Sequence, residues 1–506
     1  MMRLSVAVSA ALLGLAAHAQ QFTPGDLLVT TSTYAGNAGT VTVGQSLPGT
    51  NATTSSVAVA NGSYSQVFNN ETPDASFGVT SPITIEQLTT SGSLVSDLAI
   101  SGAVTSFSSK SEMGLNLSSD GTSVSFMGYV APVNTLDVSN SNTAAVNDPS
   151  NPVTSTYNRA IITVNANGTS TVTPVTAYSG NNGRNAVLYD GNYYMTGNAG
   201  NSGKPSPNGT VLGNLSNNTG VQTIAFGSSG ATNVVGAVNG TFGSTTGYQR
   251  GFSASASDKT GKDDNFRGMT VFDNTLFVTK GSGSNGVNSV FQVGATGSLA
   301  NGALAQNAGT APISILSGFP STGTNSHPFG LFFANASTLY VADEGDGTAG
   351  NELSSGGGLE KWSLAHGTWS LDYTLKLGLS LGQGYTVSGT VTDSTGSVTQ
   401  ATDGLRNMTG VVNANGTVTL YAITSTTGGL SDPGADPNKL VAITDTLADT
   451  TQAQASSEQF STLQTAAYGQ VLRGVDFAPV PLPATAWLML SGLGGLGVWK
   501  RRRKSI

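Results

Sequence analysis

The sequence predicts an all-β fold, a β-propeller of six blades, or seven if a further copy is hidden. Three observations lead there. Only 9% of the residues are charged and 66 are glycine, so good helix formers are scarce while β-formers and turn residues dominate. The hydrophobic residues, 38% of the chain, fall in short alternating runs rather than helical stripes, which also argues against low-complexity disorder. One hairpin-like pattern recurs along the body, and a further copy is split between its two ends.

The chain opens with MMRLSVAVSAALLGLAAHA. Arg3 supplies a positive start, Leu4 to Ala17 an apolar stretch too short to span a bilayer comfortably, and Ala17-His18-Ala19 a small-x-small cleavage site. Residues 1–19 are therefore expected to be a secretory signal peptide, with the mature chain starting at Gln20.

Residues 20–479 form the expected propeller domain. The clearest copy of the repeat runs FRGMTVFDNTLFVT from Phe266 to Thr279. Others are GRNAVLYDGNYYMT (Gly183 to Thr196), PFGLFFANASTLYVAD (Pro328 to Asp343) and LRNMTGVVNANGTVTLYAIT (Leu405 to Thr424). A weaker copy is EMGLNLSSDGTSVSFMGY (Glu112 to Tyr129). Each is an apolar run, a turn rich in Asn, Asp or Gly, and a second apolar run, which is the pattern of a β-hairpin. In the copy near 420, Val418, Leu420 and Ala422 share one face and Thr417, Thr419 and Tyr421 the other, a period of two.

The split copy closes the argument for a ring. Leu472-Arg473-Gly474-Val475-Asp476-Phe477 supplies a first strand and Gly25-Asp26-Leu27-Leu28-Val29-Thr30 a second. A propeller completes one blade from both termini in this way and so removes exposed sheet edges. The spacing between copies fits blades with loop insertions; the rungs of a β-helix would recur at about 20–30 residues. The copy FGLFF…STLYVAD resembles the NHL/YVTN-type propeller repeat, which implies the same architecture.

Four copies carry an arginine at the equivalent position: Arg184, Arg267, Arg406 and Arg473. Two readings stand. A ring of guanidinium groups near a central channel would bind an anion such as a uronate or a sulfated sugar, because arginine matches a carboxylate bidentately. Alternatively, each arginine bonds blade-to-blade carbonyls as part of the repeat. Asp343, Glu344 and Asp346 lie in a glycine-rich loop, and their oxygens suggest calcium, although the spacing is not that of an EF-hand. Trp362, Trp369 and Tyr373 suit sugar stacking or packing of an outer strand.

Other chemistries are narrowed by composition. With no cysteine, disulfides, thiolate metal sites and cysteine nucleophiles are excluded. His18 lies in the leader, so His327 and His366 alone remain, which argues against a multi-histidine metal site. No catalytic pair is marked, so a binding or structural module is favoured over a polysaccharide hydrolase or lyase, which any two channel carboxylates would permit.

The chain ends VPLPATAWLMLSGLGGLGVWKRRRKSI. Ala484 to Trp499 is an uncharged apolar run, and the basic cluster Lys500 to Lys504 would stay on the cytoplasmic side of a membrane. Val480, Pro481, Leu482, Pro483 and Ala484, an apolar helix and Arg501, Arg502 and Arg503 resemble the PEP-CTERM sorting signal in its VPLPA form, with Leu482 where the consensus has Glu. The resemblance implies processing by exosortase, a membrane protease of Gram-negative bacteria, and export to the envelope surface or an exopolysaccharide-rich biofilm matrix. Residues 480–506 are the expected sorting signal. The whole chain has 20 basic and 28 acidic residues, net −8. Removing the one basic residue of the leader and the five of the tail leaves 14 against 28, net −14. That surplus argues against nucleic acid as a partner.

Overall fold

In a computed structural model of the chain, the described residues are 21–37, 40, 46–48, 55–57, 78–147, 151, 153–199, 218–235, 237–242, 245–249, 264–281, 287–321, 326–392, 394–428 and 434–481. The leader, most of the sorting signal (Leu482, Pro483, Ala484, Arg501, Arg502 and Arg503 included) and the charged stretch 258–263 lie outside them. Among the described residues no helix is long and apolar enough to cross a membrane.

The repeats are hairpins. Gly183–Tyr189 pairs antiparallel with Asn192–Gly197, and Met269–Phe272 with Thr275–Lys280. Their two-residue turns, Asp190-Gly191 and Asp273-Asn274, take positive φ at both positions: 44° and 74°, 45° and 53°. That conformation matches the right-handed twist of the flanking strands, and Asp, Asn and Gly tolerate it best. The other copies pair likewise: Pro328–Asn335 with Thr338–Asp343, Ser394–Val412 with Thr417–Gly428, and Asn116–Leu117 with Ser123–Tyr129.

These hairpins are the starts of sheets. The closing sheet runs in space Gln470–Phe477, Leu27–Thr33, Thr80–Leu88, Leu94–Ser106, Ser123–Tyr129, Arg159–Asn165, Ser170–Val175, with Asn116–Leu117 beside Ser123–Tyr129. Its two halves are joined by the single pair Val104 and Tyr129. The second sheet holds Gly183–Tyr189, Asn192–Gly197, Gly220–Ala225 and Asn233–Val235 in that order. The third sets Met269–Phe272, Thr275–Lys280, Ser289–Val293 and Pro312–Ile315 side by side and adds the hairpin Ala237–Phe242 with Thr245–Gln249. The fourth is Pro328–Asn335, Thr338–Asp343, Gly358–Ala365 and Thr368–Leu375. The fifth is Gly384–Val391, Ser394–Val412, Thr417–Gly428, Lys439–Thr446 and Ser461–Thr465. Ser46–Pro48 and Ser55–Val57 form a small separate pair.

Apolar cores lie between successive sheets. Met127 and Ile161 of the closing sheet pack on Ala186 and Met195 of the second. Val187 and Tyr194 meet Leu276 and Phe291 of the third. Phe277 and Val290 meet Leu331 and Trp362 of the fourth. Tyr340 and Leu359 meet Leu420 and Val441 of the fifth. Ile423 and Leu440 return to Val29 and Val475 of the closing sheet. A further core packs Leu28 and Ile83 of one half of that sheet on Val124 and Phe126 of the other. Sheets stacked face on face around a circuit are a propeller-like ring, mainly β, as the repeats predict.

Hydrogen bonds tie neighbouring repeats together around the circuit. Asp476 accepts from Leu117 N at 2.7 Å and from Thr409 Oγ1 at 2.8 Å. Gly114 N donates to Arg184 O at 3.1 Å, and Arg184 Nη1 to Phe266 O at 2.7 Å. Thr279 Oγ1 donates to Phe329 O at 2.7 Å. Val475 N donates to Asn407 Oδ1 at 2.6 Å. The residue after each arginine is fixed by this crowding. A Cβ at Gly268 would collide with Phe329 O, and one at Gly474 with Met113 O. Where asparagine stands instead, its amide makes the contact: Asn185 Nδ2 donates to Arg267 O, and Asn407 accepts from Val475.

Candidate functional site

The four repeat arginines all reach the inner edge of this ring, and all are engaged there. Arg184 is buried, with Nη1 on Asn265 Oδ1 and Phe266 O. Arg473 is buried, and its Nη2 donates to Phe107 O at 2.8 Å and Gly434 O at 2.5 Å. Arg406 Nε lies 3.1 Å from Glu344 Oε2. Arg267, whose side chain is 14% exposed, bonds Ser111 Oγ at 2.7 Å and lies 3.6 Å from Glu344 Oε1. Arg184 and Arg473 thus reach main-chain carbonyls, as the structural alternative expects, whereas Arg267 and Arg406 pair with a carboxylate.

A short segment, residues 107–113, crosses this inner edge and touches four sheets or their loops. Phe107 O takes Arg473, Ser109 Oγ accepts from Asn182 Nδ2 at 2.7 Å, Ser111 takes Arg267, and Ser108 O packs on Gly434. Glu112 anchors the segment from inside. It accepts from Thr105 Oγ1 at 2.6 Å, from Ser106 N at 3.0 Å and from the Tyr129 hydroxyl. Burial raises its pKa despite those bonds.

Electrostatically the inner edge is cationic around one carboxylate. Burial pulls Arg184 down to about 9, and Arg267 adds to the effect, yet it remains charged at neutral pH. Burial works to raise the Glu344 pKa, but Arg267 and Arg406 outweigh it and hold the carboxyl below its ordinary value. Glu344 is thus a counter-ion for two arginines from different sheets.

The carboxylates of the calcium expectation, Asp343, Glu344 and Asp346, each have partners within the protein. Asp343 Oδ1 accepts from Gly345 N at 2.9 Å, Glu344 turns to the arginines, and Asp346 accepts from Thr348 N at 2.8 Å and Asn351 Nδ2 at 3.3 Å. The three carboxylates serve three separate local needs. Among the described residues no group of three or more His, Asp or Glu side chains is placed to hold a metal ion. The glycines of the loop have another use: Gly345 packs on the Asp403 carboxyl, which accepts from Gly347 N at 2.8 Å. Burial, with Asp346 and Glu344 nearby, pushes Asp403 up to about 7. Glu360, bonded to Trp362 Nε1 at 2.9 Å, is likewise pushed to about 7 by burial and then by Asp343.

The aromatic trio is packing. Trp362 and Trp369 are buried around Phe319, whose ring stacks on Trp362 at 4.1 Å. Tyr373 is buried as well, but it belongs to a polar cluster that the sequence does not announce. Lys361 and Asp445, side chains 1% and 0% exposed, form a 2.8 Å ion pair between the fourth and fifth sheets. Each stands in a strand with another charged residue, Glu360 or Lys439, so neither is marked in the sequence.

Residues 479–504 match the PEP-CTERM protein-sorting motif. Proteins with this motif are exported, processed by exosortase and sorted to the cell surface. Val480 and Pro481, near the start of the motif, leave the body at its surface: Val480 N bonds Gly121 O at 2.8 Å while its side chain is exposed. No curated protein matches the chain. Solved structures similar in part include a point variant of Synechocystis apocarotenoid oxygenase, 10% identical over 80% of this chain and 60% of that one, TM-score 0.23. An ACO/RPE65 chimera is 9% identical over the same shares, TM-score 0.22. The chain spans 60% of the length of these structures, and at such scores the likeness bears on nothing further.

Proposed function

We propose that the mature chain is a non-catalytic surface or matrix module, a six-bladed propeller over residues 20–479 that binds extracellular polysaccharide or protein. The count of six follows if the closing sheet is read as two blades, which its single joining pair and its internal core support. The observation that carries the non-catalytic reading is the use of the repeat arginines. They tie sheet to sheet or neutralise Glu344, rather than framing an open, reactive cleft. A scaffold of this kind presents its loops to a partner and needs a rigid centre.

The ligand-binding reading of Arg184, Arg267, Arg406 and Arg473 attaches to the same place. Arg267, the most exposed of the four, is where an anionic sugar would make first contact. A second reading, a hydrolase or lyase, is favoured by one observation: Asp403 is a carboxylic acid with a pKa near 7 close to Arg406 and Glu344, the protonation a general acid needs.

Co-sedimentation of residues 20–479 with the producer's exopolysaccharide, followed by sizing of the polymer, tests both. Binding with unchanged polymer length is expected. Shortened polymer would establish the enzyme, and absence of binding would remove polysaccharide as the ligand.

A further inference from the structure

We propose that Lys361 and Asp445 join through an intramolecular isopeptide bond, Nζ to Cγ, that welds the fourth sheet to the fifth. The two strands that carry them, Gly358–Ala365 and Lys439–Thr446, belong to different sheets, so nothing in the backbone ladder links them.

The geometry is that of reactants held together. Nζ lies 2.8 Å from Asp445 Oδ2, in a site closed to water. Three backbone carbonyls aim the amine: Thr446 O at 2.8 Å, Leu447 O at 3.3 Å and Asp449 O at 2.9 Å. The Tyr340 and Tyr373 rings wall the site, with Nζ 5.7 and 5.2 Å from their centroids. Their hydroxyls donate to the two oxygens of Asp445, Tyr373 to Oδ1 at 2.6 Å and Tyr340 to Oδ2. Burial first, and Asp445 beside them, raise both phenol pKa values, so they remain donors. Donors on a carboxyl under attack stabilise the oxygen that gains charge.

Glu458 completes the site. It stands beside Asp445 and accepts from Thr446 N at 2.9 Å. Burial and Asp445 push it up to about 7, which lets it both take and give a proton near neutrality. The step balances without an added reagent. One proton of the ammonium passes through Glu458 to Asp445, and the neutral amine attacks Cγ. The N–C bond forms as one C–O bond breaks. The leaving oxygen carries that proton and a second one from nitrogen away as water. An ammonium and a carboxylate become an amide and one water, with Glu458 unchanged.

The bond also resolves a physical tension. A buried ion pair carries a desolvation penalty that an amide does not. In a chain with no cysteine, carried outside the cell by its sorting motif, it supplies the covalent tie that a disulfide would otherwise give.

Peptide mapping of the exported full chain tests this. Trypsin cannot cut after a linked Lys361, so fragment 281–376 should appear joined to fragment 440–473, about 18 Da (one water) lighter than the two alone. The Glu458→Gln variant, folded by circular dichroism, should be cut after a free Lys361 and give 281–361, 362–376 and 440–473 as separate fragments. Separate fragments from the wild type would overturn the bond and leave an ion pair only. A linked species in the folded Glu458→Gln variant would overturn the role of Glu458.

Discussion

Val29 pairs with Val475 across an antiparallel ladder, so the first strand of the described body is held by the last. Both are fully buried, in the core shared with Ile423 and Leu440 of the fifth sheet. Asp at position 475 would put an unpaired carboxylate into that core. We expect Val475→Asp to cost about 3–5 kcal/mol, read as a lowered midpoint in urea. An unchanged midpoint would mean that this ladder does not hold the ring.

The Glu344 carboxylate sits between Arg267 and Arg406. Glu344→Gln leaves two buried cations without their counter-charge and should cost about 3–5 kcal/mol. The linkage has a definite sign. The folded pKa lies below the ordinary 4.5, so the carboxylate's contribution is present above that value and is lost as pH falls through the lower folded one. Wild type should therefore lose stability on acidification more steeply than Glu344→Gln, as urea midpoints across an acid series would reveal.

Asp403 works in the opposite direction. Its pKa rises from 3.8 to about 7 on folding. Between those values the folded state keeps a proton that the unfolded state has lost, so stability declines as pH rises through that window and levels off above it. Asp403→Asn cannot ionise and should flatten this part of the profile. Thermal midpoints at acidic and mildly alkaline pH make the comparison, and a slope equal to wild type would assign the effect elsewhere, with Glu360 the next group to change.

Calcium provides a separate check on the acidic loop. For a cation to occupy it, Glu344 would have to leave its arginines, while Asp343 and Asp346 are bonded to neighbouring backbone. We expect titration with calcium to release no heat and a chelator to leave the melting temperature unchanged. A rise in melting temperature with calcium would establish the site.

What the sequence made legible is local or periodic. The hairpin at Asp273-Asn274 is readable because a two-residue turn with positive φ restricts the residues it accepts. The split copy is readable because Leu472 to Phe477 and Gly25 to Thr30 each lack the half that the other supplies. Equivalence among Arg184, Arg267, Arg406 and Arg473 is readable for the same reason. Their partners are not: a main-chain carbonyl such as Phe107 O or Gly434 O leaves no mark in composition, and Glu344 looks like a calcium ligand until its neighbour from another repeat is known. Lys361 and Asp445 stay hidden because nothing periodic relates two residues that meet only when separate sheets pack. Glu112 is similar, a lone acid whose purpose is set by Tyr129 and Thr105 at other points of the chain.

The fastening of Leu27–Thr33 by Gln470–Phe477 also sets an order in time. A chain threaded outward from its N-terminus delivers the closing strand last, directly ahead of the sorting motif. Until then the Leu27–Thr33 edge has no partner on that side and the circuit stays open. Contacts between the far ends of a chain are slow to form, so retention at the membrane by the tail would give the ring an interval in which to shut. Processing at the sorting motif would then act on a body already closed, and premature processing on one with an open seam.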